Sequence, residues 1–277
     1  MPQSTSPLEQ VVSYMKSHWP STVKPEWQVQ LDEYPAILQK VLADFTKDKS
    51  KTHRFIRIAG LSGSGKTTQI LPAVEAYSDK NGINPILIAA RRFVEYHPHY
   101  QEIKDFYGEE NLRKNTDEFS TIMMFMVLTA LVKQGYDIIL DVTLLDPSME
   151  AILIKMLQKE NYNALLLMIA VSPIVTEHFL EGRAWRHTKA TEQEFIRATT
   201  KALDFYAKNY GDMRTILWSV YDKPPIYDGP VKNSLRIFAD YSSREALPAP
   251  DDDARRDAKI HYLETLYSYQ NFINLYN

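Results

Sequence analysis

The stretch Gly60-Leu61-Ser62-Gly63-Ser64-Gly65-Lys66-Thr67 constrains the fold of this chain more than any other. It has the form G-x-x-x-x-G-K-[ST], with both glycines, the lysine and the hydroxyl in place. Gly60, Gly63 and Gly65 permit a close backbone approach that a Cβ would block, so successive N–H groups can turn inward around a phosphate. Lys66 carries a point charge suited to β- and γ-phosphates, and Thr67 offers a hydroxyl to Mg²⁺. The flanks fit this use. Phe55-Ile56-Arg57-Ile58-Ala59 reads as a short strand, and Thr67 to Tyr77 as a helix whose N-terminus faces the anion. The expected nucleotide-binding set is Gly60, Ser62, Gly63, Ser64, Gly65, Lys66, Thr67 and Thr68.

Such a loop needs a parallel sheet around it, and the rest of the chain supplies the pattern. Ile83 to Ala90, Tyr136 to Leu140, Ala164 to Val171 and Thr215 to Tyr221 read as further strands. Between them Thr116 to Gln134, Ser148 to Glu160, Ile174 to Arg183 and Thr191 to Tyr210 read as helices. Alternation of this kind implies an α/β fold, a mostly parallel five-stranded sheet covered by helices in the manner of P-loop NTPases and kinases. Residues 1–50 form a helical N-terminal extension, with segments Leu8 to Trp19 and Trp27 to Phe45. Residues 51–240 form the core, and 241–277 a linker and C-terminal helix. Pro72 falls inside the helix after the loop and should kink or shorten it. Asp228-Gly229-Pro230 reads as a turn.

Composition excludes several classes. The net charge of −3 gives no basic field to draw nucleic acid. The absence of cysteine removes disulfides, thiolate metal sites and a cysteine nucleophile. No apolar run approaches ~18 residues, so no membrane span is expected. Nor does a basic segment followed by an apolar one open the chain, which makes the cytoplasm the expected compartment; export by another route would leave no such mark. The 17 tyrosines are scattered and read as packing, not as a base-stacking platform.

Ligands of open α/β sheets bind at the carboxyl ends of the strands. Asp141, after Asp137-Ile138-Ile139-Leu140, stands where an acidic residue holds Mg²⁺ or its water shell; a turn cap is the competing role. Arg183 and Arg186 flank Trp185 after the fourth strand, where they could close over a triphosphate or simply face solvent. His97-Pro98-His99 is weak as a metal motif, for want of further ligands nearby, and reads as structural or substrate-contacting.

With these residues in view, the chain resembles the zeta toxin family, the toxin half of epsilon/zeta toxin–antitoxin systems. The resemblance runs from about Arg54 to Tyr221. It comprises the loop, the His97-Pro98-His99-Tyr100 segment, Gly135-Tyr136 before the third strand, Asp141 and Thr143 at its end, and the Arg183/Arg186 pair. It implies an ATP-dependent, Mg²⁺-requiring kinase that phosphorylates a small molecule, in the best-understood members the amino sugar of UDP-N-acetylglucosamine. Related effectors on the same scaffold act on other nucleotide-like metabolites. It also implies a protein partner, an antitoxin or a chaperone. By position, Lys66 and Thr67 fall on ATP and Mg²⁺, Arg183 and Arg186 on the lid, and Asp141 and Thr143 on the substrate pocket.

One departure matters. Six residues before His97 the family has an aspartate, the general base for the acceptor hydroxyl. Here that position is Arg91, which cannot take a proton. Three readings follow. The base is relocated to Asp141 or Glu95. Alternatively the acceptor is already anionic, needs no base and is gripped by Arg91 and Arg92, with His97 and Thr143 beside it. In the third the chain binds ATP without catalysing transfer and serves as a scaffold or partner-binding protein.

Overall fold

Six short segments join into one sheet in the computed structural model, which describes residues 7–18, 21–61, 63–142, 147–180, 189–222, 225–244 and 253–268. They are β1 (Arg54–Ala59), β2 (Ile86–Ile88), β3 (Ile138–Asp141), β4 (Asn163–Ala170), β5 (Arg214–Ser219) and β6 (Tyr227–Pro230), in the spatial order β2-β3-β1-β4-β5-β6. The five expected strands are all present and parallel. The expected count of five is corrected to six, because Tyr227–Pro230 adds an antiparallel strand along β5. Three of its four residues, Asp228, Gly229 and Pro230, are poor strand formers, and Pro230 has no N–H to give, which an edge position tolerates. Arg214 fixes the pair by donating from Nε and Nη2 to the Asp228 carboxylate at 2.8 and 2.6 Å.

β1 lies between β3 and β4, covered on both faces, and its side chains alternate between two cores. Phe55 and Ala59 join the larger core, Ile56 and Ile58 the smaller. The entry to β1 is pinned by the buried Asp137, which accepts from Ser50 Oγ at 2.7 Å and from the N–H groups of Thr52 and Arg54 at 3.0 Å each.

On the larger face α1 (Pro7–His18) and α2 (Tyr34–Phe45) pack on α5 (Glu109–Lys133), so the N-terminal helices contribute Val11, Met15, Val41 and Phe45 to the main core. α2 is shorter than its apolar stripe suggests. Pro35 sets its first turn, Pro25–Trp27 is a separate 3₁₀ turn, and Leu31 is left exposed. α4 (Tyr100–Tyr107) also packs on α5. α6 (Pro147–Lys159), α8 (Lys189–Asn209) and α9 (Ser234–Ser242) complete this face through Leu153, Tyr206 and Phe238. α7 (Pro173–Leu180) precedes α8 and packs against it.

The smaller face is covered by α3 (Leu71–Lys80) and α10 (Asp253–Ser268), which pack on each other. Pro72 shortens the α-helix, which begins at Leu71 and not at Thr67. It occupies the first turn of α3, behind a π turn over Lys66–Ile70 in which Leu71 N–H reaches back to the Lys66 carbonyl. A proline ring crowds the carbonyl four residues earlier, here Thr68, and the widened turn relieves that clash. No described helix is long and apolar enough to cross a membrane.

Candidate functional site: the loop at the end of β1

The loop starts where β1 stops. Gly60, Gly63 and Gly65 have φ of 150, 77 and 90°. At Gly60 a Cβ would stand 2.8 Å from Ser64 Oγ and 3.4 Å from the Ile169 carbonyl of β4, so the crossing from strand to loop requires glycine. Ser64 is wholly buried. Its N–H donates to the Leu61 carbonyl at 3.2 Å and its hydroxyl faces inward against Gly60, so the side chain shapes the loop from beneath.

Lys66 is half-buried and bends across the loop, donating from Nζ to the carbonyls of Gly60 at 2.7 Å and Leu61 at 2.8 Å. A phosphate entering the loop competes with these two oxygens for the ammonium. Thr67 and Thr68 are exposed at the helix start, where free N–H groups and the helix dipole favour an anion. Ser62 lies outside the described residues.

Sheet register brings the acidic candidate alongside. Asp141 pairs with Ile58 across β3 and β1, two residues short of Gly60. Its side chain is 2% exposed, and Oδ1 has no hydrogen-bond partner among the described residues. A buried, unpartnered carboxylate oxygen one strand from a phosphate loop is chemically suited to a hydrated Mg²⁺ ion, and the glycine cradle is suited to the phosphates of ATP.

The other oxygen, Oδ2, lies 3.4 Å from Arg91 Nη2. Arg91 stands in the 3₁₀ helix Ala90–Tyr96 directly after β2, with a 52% exposed side chain that crosses from the end of β2 to the end of β3. Arg92 goes elsewhere. It donates to the Leu87 carbonyl at 2.7 Å and stacks 4.7 Å over the Phe45 ring, so the two arginines do not form one grip. Glu95, four residues on in a helix of three residues per turn, points roughly 120° away from Arg91 and is exposed.

His97 closes this segment from inside. Its ring meets Phe119 edge-on at 4.7 Å, and Nδ1 accepts from the His99 N–H at 3.1 Å. Burial, reinforced by His99 and opposed by Glu102, pushes its pKa down to about 4, so the ring is neutral at ordinary pH. Among the described residues no three His, Asp or Glu side chains gather as a metal cluster. Thr143, Arg183 and Arg186 lie outside the described residues.

Two residues of the loop's surroundings are absent from the sequence reading. Gln69 in the π turn is 5% exposed, and its Oε1 accepts from Nζ of Lys259 in α10 at 3.0 Å. The signal was faint: Arg255, Lys259 and Leu263 recur every fourth residue, which places two cations on the buried face of α10.

A family profile described as Zeta toxin matches residues 39–216. Toxin PezT of Streptococcus pneumoniae serotype 4 (strain ATCC BAA-334 / TIGR4) is 27% identical over 143 residues, covering 51% of this chain and 54% of that protein. The match thus spans about half the length of this curated relative. Among solved structures, one from the PezAT chromosomal toxin–antitoxin system of the human pathogen Streptococcus pneumoniae superposes with a TM-score of 0.63 at 19% identity, covering 88% of this chain and 100% of that one; this likeness concerns the fold. The AvrRxo1-ORF1:AvrRxo1-ORF2 complex with sulphate ions aligns at a TM-score of 0.48 and 12% identity over 94% of this chain and 85% of that one, too loosely to carry an argument.

Proposed function

Because the chain belongs to the zeta toxin family, we propose that it is an ATP-dependent kinase of a small molecule, a sugar nucleotide such as UDP-N-acetylglucosamine or another nucleotide-like metabolite. The observation that carries this reading is the complete glycine loop at the end of the central strand with Asp141 buried one strand away. Bound ATP and Mg²⁺ would supply an activated phosphoryl group with its charge partly neutralised. The loop N–H groups and Lys66 hold the phosphates, and Thr67 with Asp141 holds the ion. Arg183 and Arg186 balance charge spreading over the transferred group, and Thr143 contacts the acceptor. Positioning and charge balance are most of what phosphoryl transfer asks of a protein, so the missing family aspartate does not by itself remove the activity. A protein partner, an antitoxin or chaperone, belongs to the same proposal, as does a cytoplasmic site of action.

The test is a metabolite screen with γ-labelled ATP read by mass spectrometry. Lys66→Ala should lower transfer on the order of 10²–10³-fold or more. Wild-type activity and nucleotide affinity in that variant would overturn the reading.

The contact between Arg91 and Asp141 favours a second version, in which the acceptor carries its own negative charge. An exposed guanidinium beside the loop can bind an anionic group bidentately, whereas a carboxylate in contact with arginine is poorly placed to approach a hydroxyl. The two versions separate by mutation. With an anionic acceptor, Arg91→Ala raises acceptor KM and leaves ATP affinity alone. With a neutral acceptor and Asp141 as base, Asp141→Asn cuts turnover on the order of 10²–10⁴-fold at saturating Mg·ATP, beyond any loss of nucleotide affinity measured alongside.

A further inference from the structure

The C-terminal helix is fastened to the loop from behind. Arg255 Nη1 of α10 donates to the Val220 carbonyl at 2.6 Å, Tyr262 Oη donates to Asp228 Oδ2 at 2.5 Å, Glu264 pairs with Lys80 of α3, and Leu263 enters the smaller core. These anchors fix Lys259, 1% exposed, against the π turn, where Nζ donates to Gln69 Oε1 at 3.0 Å. Gln69 in turn leans on the loop. Its Cδ, Cγ and Nε2 lie 3.5, 3.6 and 3.6 Å from where a Cβ of Gly65 would be, and its N–H donates to the Gly65 carbonyl at 2.8 Å. One line of contacts therefore runs from α10 through Gln69 to the glycine that precedes Lys66.

We infer that Lys259 and Gln69 are positioning residues for the nucleotide phosphates, and that α10 completes the phosphate site from the side opposite the ligand. This rests on the loop being the ATP site. Two physical arguments support it. The Gly65 backbone must hold a positive φ for the loop N–H groups to converge, and the Gln69 amide packed against it restricts the alternatives. A cation set behind the first turn of a helix also runs against the helix dipole, and an anion at the same terminus offsets that cost. Both effects favour the phosphate-bound loop over the free one, which is the condition for a remote residue to raise affinity.

The experiment compares Lys259→Met, Gln69→Leu and the double variant by equilibrium titration with Mg·ATP, with thermal stability measured alongside. Each single variant breaks the buried Lys259–Gln69 hydrogen bond and should lower Tm. The double variant removes both groups of this bond and should be more stable than the sum of the two single losses implies. Nucleotide Kd should rise about tenfold in Lys259→Met and stay raised in the double variant, while acceptor KM does not move. A double variant that recovers affinity together with stability would reduce the contact to simple packing and overturn the inference, as would unchanged Kd in all three. Failure of the wild type to bind Mg·ATP would instead overturn the reading of the loop itself, and this inference with it.

Discussion

The two faces of the sheet each bury a cation close to the loop, and they do so differently. On the larger face Arg57 of β1 donates from Nη2 to Glu150 Oε1 of α6 at 2.7 Å, and the Tyr206 hydroxyl of α8 donates to the other carboxylate oxygen. On the smaller face Lys259 reaches the neutral amide of Gln69. In the first case the charge meets a carboxylate, inside a contact that ties one strand to two helices. In the second the cation stands behind the helix turn that begins at Lys66. The first cation holds a strand to two helices, whereas the second holds α10 against the turn that carries the ligand loop.

The largest expected effect breaks the matched side. Glu150→Ala takes the carboxylate away from a buried guanidinium and should cost about 3–5 kcal/mol in chemical denaturation. The sharper form replaces the whole group. Arg57→Met/Glu150→Leu/Tyr206→Phe should return close to wild-type stability, since apolar replacements of a buried ion pair are often neutral, and should leave Mg·ATP Kd unchanged. If that triple variant loses nucleotide affinity as the Lys259/Gln69 double variant is expected to, the distinction between the faces fails.

An intermediate effect concerns acid. His97 packs on Phe119 of the larger core, and its pKa is pushed from the ordinary 6.5 to about 4 by burial. The unfolded chain then binds more protons than the folded one between those values, so stability falls as pH drops through the window from 6.5 to about 4. The loss is on the order of 3 kcal/mol once both states are protonated. His97→Gln, which keeps an acceptor for the His99 N–H, should flatten that part of the profile relative to wild type. Equal slopes in the two proteins would show that other groups carry the acid sensitivity of this face.

What could be read from the sequence follows from what is local. The five parallel strands are apolar runs of the right length, and the loop is a contiguous motif, so both were legible. β6 was not, because Asp228, Gly229 and Pro230 are turn residues that pair only since β5 offers an edge and Arg214 holds Asp228. The approach of Arg91 to Asp141 depends on β3 lying between β2 and β1, a choice of strand order that periodicity does not make. Gln69 and Lys259 are 190 residues apart, and only docking of α10 joins them. Glu95, offered as a relocated base, lies four residues after Arg91, and the tight 3₁₀ turn rotates it away from that position.

The smallest expected effect tests whether the matched charge group behaves as one unit. Tyr206→Phe removes a single hydroxyl and leaves Arg57 on Glu150, so below pH 10 it should cost about 1.5 kcal/mol, the range for a hydrogen bond to a charged acceptor. Burial, together with the Glu150 charge, holds the Tyr206 phenol well above its ordinary value of 10. The folded protein therefore keeps this proton while the unfolded chain gives it up above that pH. Stability from this group is fully present below pH 10 and is lost as pH rises beyond it. The gap between wild type and Tyr206→Phe should accordingly be constant from neutral pH to about 10 and narrow above it, because phenylalanine has no proton to lose. A gap that does not narrow would mean that the phenol ionises alike in both states. Tyr206 would then be a packing residue and not a member of the charge group that separates this face of the sheet from the other.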